Sequence, residues 1–130
     1  MSVCGLWSTP KRWIAVIVDD TGHPRPPITV AQTPEACAGL LAWLATTAID
    51  ALVLSDRSAA IIELARAASL HVQIAPQELL DAIRRAAGVT QRPHRHTATL
   101  LARWYLSPAL RPYLREIPAP CHHPAQIPLL

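Results

Sequence analysis

The sequence lacks the features of membrane-spanning, secreted and disulfide-stabilised proteins. About half of its 130 residues are hydrophobic (51%), yet no apolar run reaches the roughly 18 residues needed to cross a bilayer. No basic region followed by an apolar stretch stands near Met1, so we expect no signal peptide. The three cysteines (Cys4, Cys37 and Cys121) are odd in number and widely spaced, which does not fit a disulfide framework. At this length we expect a single domain, located in the cytoplasm and with no membrane partner.

Several catalytic signatures are also absent. The glycines stand singly, so there is no glycine-rich phosphate loop, and neither a serine nor a cysteine nucleophile with a positioned base is visible. Internal repeats are absent. Lysine is nearly absent too, since Lys11 is the only one, while arginine and alanine are abundant. This bias is typical of a GC-rich bacterial genome.

Charge is divided unevenly along the chain. Residues 1–81 contain five basic and eight acidic residues, a net charge of −3. Residues 82–130 contain seven arginines and a single acid, Glu116, a net charge of +6. This asymmetry favours an anionic partner. The alternative is a helical face that is simply solvated.

The first thirty residues predict three short strands. Val3–Trp7 is a compact apolar run, and Trp13–Val18 is rich in the β-branched residues that favour strands. A turn signal follows at Asp19–Gly22. The next residues, HPRPP, lack the amides for a full strand ladder. Ile28–Val30 is therefore predicted to be a short strand at the edge of the sheet.

The remainder alternates helices and buried strands. Thr33-Pro34 is a typical helix start, and the helix should run to about Thr46 with Cys37, Leu40, Leu41 and Leu44 as its buried stripe. A continuous apolar run predicts a parallel strand at 51–54. The further predictions are a helix at 59–68 capped by Ser58, a strand at 71–74, a helix at 76–87 closed by Gly88, a loop at 89–94 and a helix at 97–106.

The order β-β-β-α-β-α-β-α predicts the fold class. Three antiparallel strands followed by right-handed crossovers give a mixed sheet with helices on both faces, which is the ribonuclease-H-like α/β fold. A flavodoxin-like arrangement is the alternative, but it requires a helix after the first strand. We predict a domain at 1–106 and a proline-rich tail at 107–130. The tail is either disordered or laid extended across the domain or a partner.

The segments GLWSTPKRWIAVIVDDTG, TPEACAGLLAWL and ALVLSD resemble the N-terminal domain of the DEDD transposases of bacterial insertion sequences. Those domains are similar in turn to Holliday-junction resolvases. The resemblance covers roughly Val3 to Trp104. It implies a ribonuclease-H-like fold and a nuclease that holds two divalent ions with clustered carboxylates.

The chain departs from that pattern at its catalytic positions. Gly5 and Leu6 match the family, but the first catalytic aspartate falls on Trp7, which has no metal-ligating atom. The second acid falls near Leu54 to Asp56, so Asp56 could take its place only if the register slips by one or two residues. The segment 94–104, where the family carries its last acids, has no carboxylate. We therefore predict no metal site, no catalytic residue and no cofactor.

The strongest candidate site is a basic segment. Arginine suits phosphate groups, and neighbouring aromatic residues stack on unpaired bases. Trp104 and Tyr105 are the neighbouring aromatics. The alternative to a binding site is that Arg84 and Arg85 are solvated helix residues and that Trp104 belongs to the core. The candidate nucleic-acid-binding residues are Arg84, Arg85, Arg92, Arg95 and Arg103, with His94 and His96 beside them.

Three further features have both functional and structural interpretations. Trp7 is either a stacking platform or a cap on the core. Asp56 follows a central strand, the position where open α/β sheets place functional groups. Its structural interpretation is a loop acid that pairs with Arg57 or caps the next helix. The histidines at 94 and 96 and the run 121–123 (CHH) offer zinc ligands, but without the spacing of a recognised finger.

Three functions follow from these observations. The first is a catalytically inactive accessory protein of a mobile or conjugative element that contacts nucleic acid or a nucleoprotein through the basic segment. The second is a protein–protein adaptor or homo-oligomer that uses the tail or the edge strand. The third is an active nuclease with a displaced acid set of Asp19, Asp56 and Asp81. Asp19 lies at the far end of the hairpin from Trp7, which argues against it.

Overall fold

The computed structural model describes residues 1–55, 59–86 and 94–117. None of the helices in these ranges is long and apolar enough to cross a membrane. A short 3-10 helix, Arg111–Tyr113, precedes the last strand. The strands and longer helices, in chain order, are β1 (Ser2–Ser8), β2 (Arg12–Asp19), β3 (Ile28–Ala31), α1 (Pro34–Thr46), β4 (Ala51–Ser55), α2 (Ala59–Ala67), β5 (Val72–Ala75), α3 (Gln77–Ala86), α4 (His94–Leu106) and β6 (Arg115–Ile117).

The strands form one mixed sheet in the order β3-β2-β1-β4-β5-β6. β1, β2 and β3 are antiparallel neighbours, whereas β4 runs parallel to β1 and β5 runs parallel to β4. β3 lies at one edge, as predicted. The ribonuclease-H-like fold class predicted from the element order is confirmed.

Helices cover both faces of the sheet, and alternation along β1 separates two hydrophobic clusters. Cys4 and Leu6 point to the face covered by α1 and α2. Val3 and Trp7 point to the face covered by α3 and α4. Successive side chains of a strand point to opposite faces, so β1 contributes to both layers. β4 is buried along its whole length, which confirms the prediction of a central parallel strand.

Helix α1 follows its sequence signals closely. The Thr33 hydroxyl accepts a hydrogen bond from the Ala36 amide at 3.2 Å, and Pro34 occupies the first turn. Such a cap satisfies one of the amides that a helix start leaves unpaired. The predicted stripe is confirmed, because its four members are the buried residues of this helix: Cys37, Leu40, Leu41 and Leu44.

Helix α4 crosses the sheet directly over β1. A side chain on Gly5 would overlap the carbonyl oxygen of Ala98, so only glycine permits this approach. The helix begins at His94. The sequence predicted a start three residues later, because the polar residues His94 to His96 carry no apolar periodicity. Residues 87–93, which contain most of the predicted loop and Gly88, lie outside the described ranges, as does Ser58.

The beginning of the predicted tail joins the domain. β6 pairs antiparallel with β5, through Val72–Ile117 and Ile74–Arg115. The buried Trp104 indole donates a hydrogen bond from Nε1 to the Leu110 carbonyl at 2.7 Å. Residues 107–117 therefore pack on the domain through a turn, the 3-10 helix and β6, while 118–130 lie outside the described ranges.

Candidate functional site

The C-terminal end of β1 is the position where the resemblance places a catalytic aspartate. Trp7 occupies it, opposite Ile14 of β2, and the preceding residue Leu6 is level with Leu54 of β4. The indole is half-buried and packs against the cluster under α3 and α4. The core-capping interpretation of Trp7 fits this packing.

A cation lies beside that indole. The guanidinium carbon of Arg84, near the end of α3, is 5.9 Å from the centre of the Trp7 ring, within the range of a cation–π contact. Two-ion nuclease chemistry requires converging carboxylates, and this end of β1 instead holds an indole and a positive charge. Within residues 1–55, 59–86 and 94–117, no group of three or more potential ligands is arranged to hold a metal ion. The described residues do not fit the two-ion site that the resemblance to DEDD transposases implies.

Two of the three displaced acids, Asp19 and Asp81, are among the described residues. Asp19 pairs with Ser2, five residues along β1 from Trp7 and so about 17 Å away at the usual strand rise. Its carboxylate accepts hydrogen bonds from the hydroxyl and amide of Thr21, and the Thr21 hydroxyl is the main cause of its lowered pKa. Asp81 accepts a hydrogen bond from Gln77 at 3.0 Å within α3. Asp56 lies outside the described ranges.

A groove of about 610 Å³ lies on the α4 side of the sheet. Val16 of β2 forms part of its lining. One wall is the proline-rich segment 24–27, and the other is the face of α4 from His96 to Arg103. Ile83 and Arg84 of α3 complete the lining. We call it the α4 groove.

Local contacts hold the proline wall in place. Pro24 forms an isolated bridge with Val18, and the Arg25 amide donates to the Ile17 carbonyl at 2.8 Å. The Arg103 guanidinium donates two hydrogen bonds, at 2.9 and 3.3 Å, to the carbonyl of Gly22. Gly22 has a positive φ of 85°, which suits glycine in this turn. The turn is thus tied to α4.

The α4 groove is basic. Its lining includes Arg25, Arg84 and Arg103 and contains no aspartate or glutamate. None of the ion pairs seen among the described residues involves these arginines. Arginine forks without carboxylate partners suit anions with several acceptor oxygens, phosphate in particular.

The structure brings together two of the five predicted binding residues. Arg84 and Arg103 line the groove. Arg85 is exposed on α3 beside it but is not part of the lining. Arg92 lies outside the described ranges. Arg95 belongs to α4, but its side chain is not among those that the structure describes. The arginine that sequence reasoning missed is Arg25, because it stands in the acidic part of the chain and inside a segment interpreted only as a strand breaker.

The two neighbouring aromatics are not available for base stacking. Trp104 is fully buried and Tyr105 is 6% exposed. The Arg111 guanidinium lies 3.9 Å from the centre of the Tyr105 ring and donates to its hydroxyl at 2.5 Å. The stacking interpretation of these residues is wrong, because both side chains are buried in the hydrophobic cluster under α3 and α4. The core alternative for Trp104 is confirmed.

The fold and the position of α4 define a ribonuclease-H-like α/β domain. Two solved structures are similar to it. RuvC of T. thermophilus in complex with a Holliday junction substrate superposes with a TM-score of 0.61 at 12% identity, covering 90% of this chain and 99% of that one. The Thermus thermophilus RuvC structure gives a TM-score of 0.56 at 14% identity over 90% of this chain and 100% of that one. No family model matches the chain, and no curated protein matches it by sequence.

Proposed function

We propose that this domain binds nucleic acid without cleaving it. The observation that carries the proposal is the α4 groove, whose lining includes Arg25, Arg84 and Arg103 and no carboxylate. Arg85 extends this positive surface along α3, and Arg92 and Arg95 lie between Arg85 and Arg103 in the sequence. The RuvC structure with a Holliday junction substrate supports the proposal, because it shows this fold on branched DNA.

The absence of cleavage rests on the end of β1. Trp7 and Arg84 stand where carboxylates would hold metal ions, and α4 contains no acidic residue. We also propose an accessory role in a mobile or conjugative element, which rests on the resemblance to transposases. A cytoplasmic location is a further part of the proposal.

Fluorescence anisotropy with labelled four-way junction, duplex and single-stranded DNA and with RNA tests the proposal. Three to five phosphate contacts predict that affinity falls about 40- to 500-fold between 50 and 200 mM salt. Arg92→Ala/Arg95→Ala and Arg85→Ala should weaken binding. Arg66→Ala is the matched control, since Arg66 lies on α2, on the opposite face, in an ion pair with Glu63. Flat titrations at both salt concentrations would refute the proposal.

A protein–protein adaptor is the second candidate. The position of β3 at the sheet edge favours it, because an edge strand offers unpaired backbone groups to another chain. Sedimentation analysis distinguishes the two functions. A defined oligomer, or a complex with a protein partner, that forms while nucleic acid does not bind would favour the adaptor.

A further inference from the structure

Two buried polar atoms in the α4 groove have no hydrogen-bond partner. Thr97 is 2% exposed, and its hydroxyl is unpaired. The Nε atom of Arg84 is also buried without a partner. Unpaired buried polar groups are rare in folded proteins, and each calls for an explanation, such as a bound water or ion. Both residues line this one groove.

The groove also has the charge and the shape of a ligand site. Its three arginines supply positive charge from different elements: the proline wall, α3 and α4. Its volume of about 610 Å³ lies within the usual range for small-molecule sites, roughly 300–1,000 Å³. The fixed φ of the prolines makes the wall preformed, so little ordering is needed on binding.

Apolar surface accompanies the positive charge. Ile83 and Leu100 line the groove together with Val16 and the prolines. An inorganic anion alone would leave this surface uncovered. A ligand with an anionic end and a flat, largely apolar body would satisfy both parts.

We propose that the α4 groove binds one nucleotide. Arg25, Arg84 and Arg103 hold its phosphate, the Thr97 hydroxyl donates a hydrogen bond to it, and the base lies against Ile83 and Leu100. The nucleotide is either free or one unit of a strand, and these sources share the same chemistry. Where it belongs to a strand, the inference rests on the proposed nucleic-acid function and assigns a specific contact to it.

Isothermal titration of the full chain with adenosine 5′-monophosphate, adenosine and inorganic phosphate tests the site. The monophosphate should bind, and the other two should bind at least about tenfold more weakly. Arg25→Ala removes an exposed side chain whose backbone amide still bonds Ile17. Thr97→Val keeps the side-chain volume and removes the hydroxyl. Each should weaken monophosphate binding about tenfold, as expected for loss of a hydrogen bond to a charged group.

Arg85→Ala and Arg66→Ala separate this site from the general positive surface. Arg85→Ala should weaken strand binding without changing monophosphate binding, because Arg85 lies outside the groove lining. Arg66→Ala should change neither. Melting temperatures equal to that of the wild type establish that the variants are folded.

The outcomes separate the two proposals. Strand binding without monophosphate binding, unchanged by Arg25→Ala and Thr97→Val, overturns the nucleotide site and leaves the proposed function standing. Monophosphate binding that depends on these residues, with no strand binding, supports the site and overturns the proposed function. Binding of neither ligand overturns both.

Discussion

Gly5 of β1 lies against Ala98 of α4 with no room for a side chain between them. A Cβ on Gly5 would overlap the Ala98 carbonyl oxygen and lie 2.8 Å from the Ala102 amide nitrogen. Both obstacles are backbone atoms, which cannot rotate away. This approach places α4 on β1, and with it the helix face that lines the groove.

The first prediction concerns this contact. Gly5→Ala should destabilise the protein by about 3 kcal/mol, because α4 must move off the sheet to admit the methyl group. Gly39→Ala is the matched control. Gly39 is exposed in α1 with open space around it, so alanine should stabilise the helix by about 0.5–1 kcal/mol. Urea unfolding measures both, and equal stabilities for the two variants would contradict the contact.

The second prediction concerns thiol reactivity. Burial raises the pKa of Cys4 to about 12, and burial is also the main cause of the raised pKa of Cys37. The thiolate is the reactive form. In a Cys121→Ser variant at pH 8, neither remaining thiol should react with a disulfide reagent until denaturant is added, whereupon two should. Rapid labelling of the native variant would contradict the burial of these side chains.

The third prediction concerns pH. The Thr21 hydroxyl is the main cause of the lowered pKa of Asp19. Because its pKa is lower in the folded state, ionised Asp19 stabilises the fold at pH values above 3.8, the ordinary pKa of an aspartate. This stabilisation is lost as the pH falls through the lower folded pKa. NMR titration should give a midpoint below 3.8, and Thr21→Val should raise it. A midpoint at or above 3.8 in the wild type would refute the hydrogen-bonded turn.

The fourth prediction concerns the chain end. Shortening the protein to residues 1–106, the domain predicted from sequence, removes β6 and the Leu110 carbonyl that accepts from Trp104. An unpaired buried donor costs about 1–3 kcal/mol, and Leu110 and Leu114 also leave the core. A chain of residues 1–117 should therefore melt at a higher temperature than 1–106. Equal melting temperatures would support the 1–106 boundary.

The fifth prediction concerns catalysis. Four-way junction, duplex and single-stranded DNA should remain intact in magnesium or manganese, because the end of β1 presents Trp7 and Arg84 instead of carboxylates. Gel electrophoresis of end-labelled substrates measures this. Asp56→Asn is the informative control. Metal-dependent cleavage that this substitution abolishes would establish the displaced-acid nuclease.

Much of the fold could be predicted because its signals are local. A compact apolar run predicts β1, β-branched residues predict β2, and a threonine cap with a following proline predicts the start of α1. The buried stripe of α1 follows from helical spacing alone. The short strand β6 could not be predicted, since its three residues carry no pattern and pair only because the edge of β5 is available.

The candidate site, like the fold, could be predicted only in part. The sequence by itself determined the element order, the absence of acids from α4, and the charge asymmetry that drew attention to Arg84 and Arg103. Only the tertiary structure decided that Arg25 joins them, because the bridge from Pro24 to Val18 carries the proline segment along β2. It also decided that Arg84 lies against Trp7. Arg25 and Trp7 are both far in sequence from Arg84, and packing between distant segments, which no local pattern encodes, brings them to the same side of the sheet.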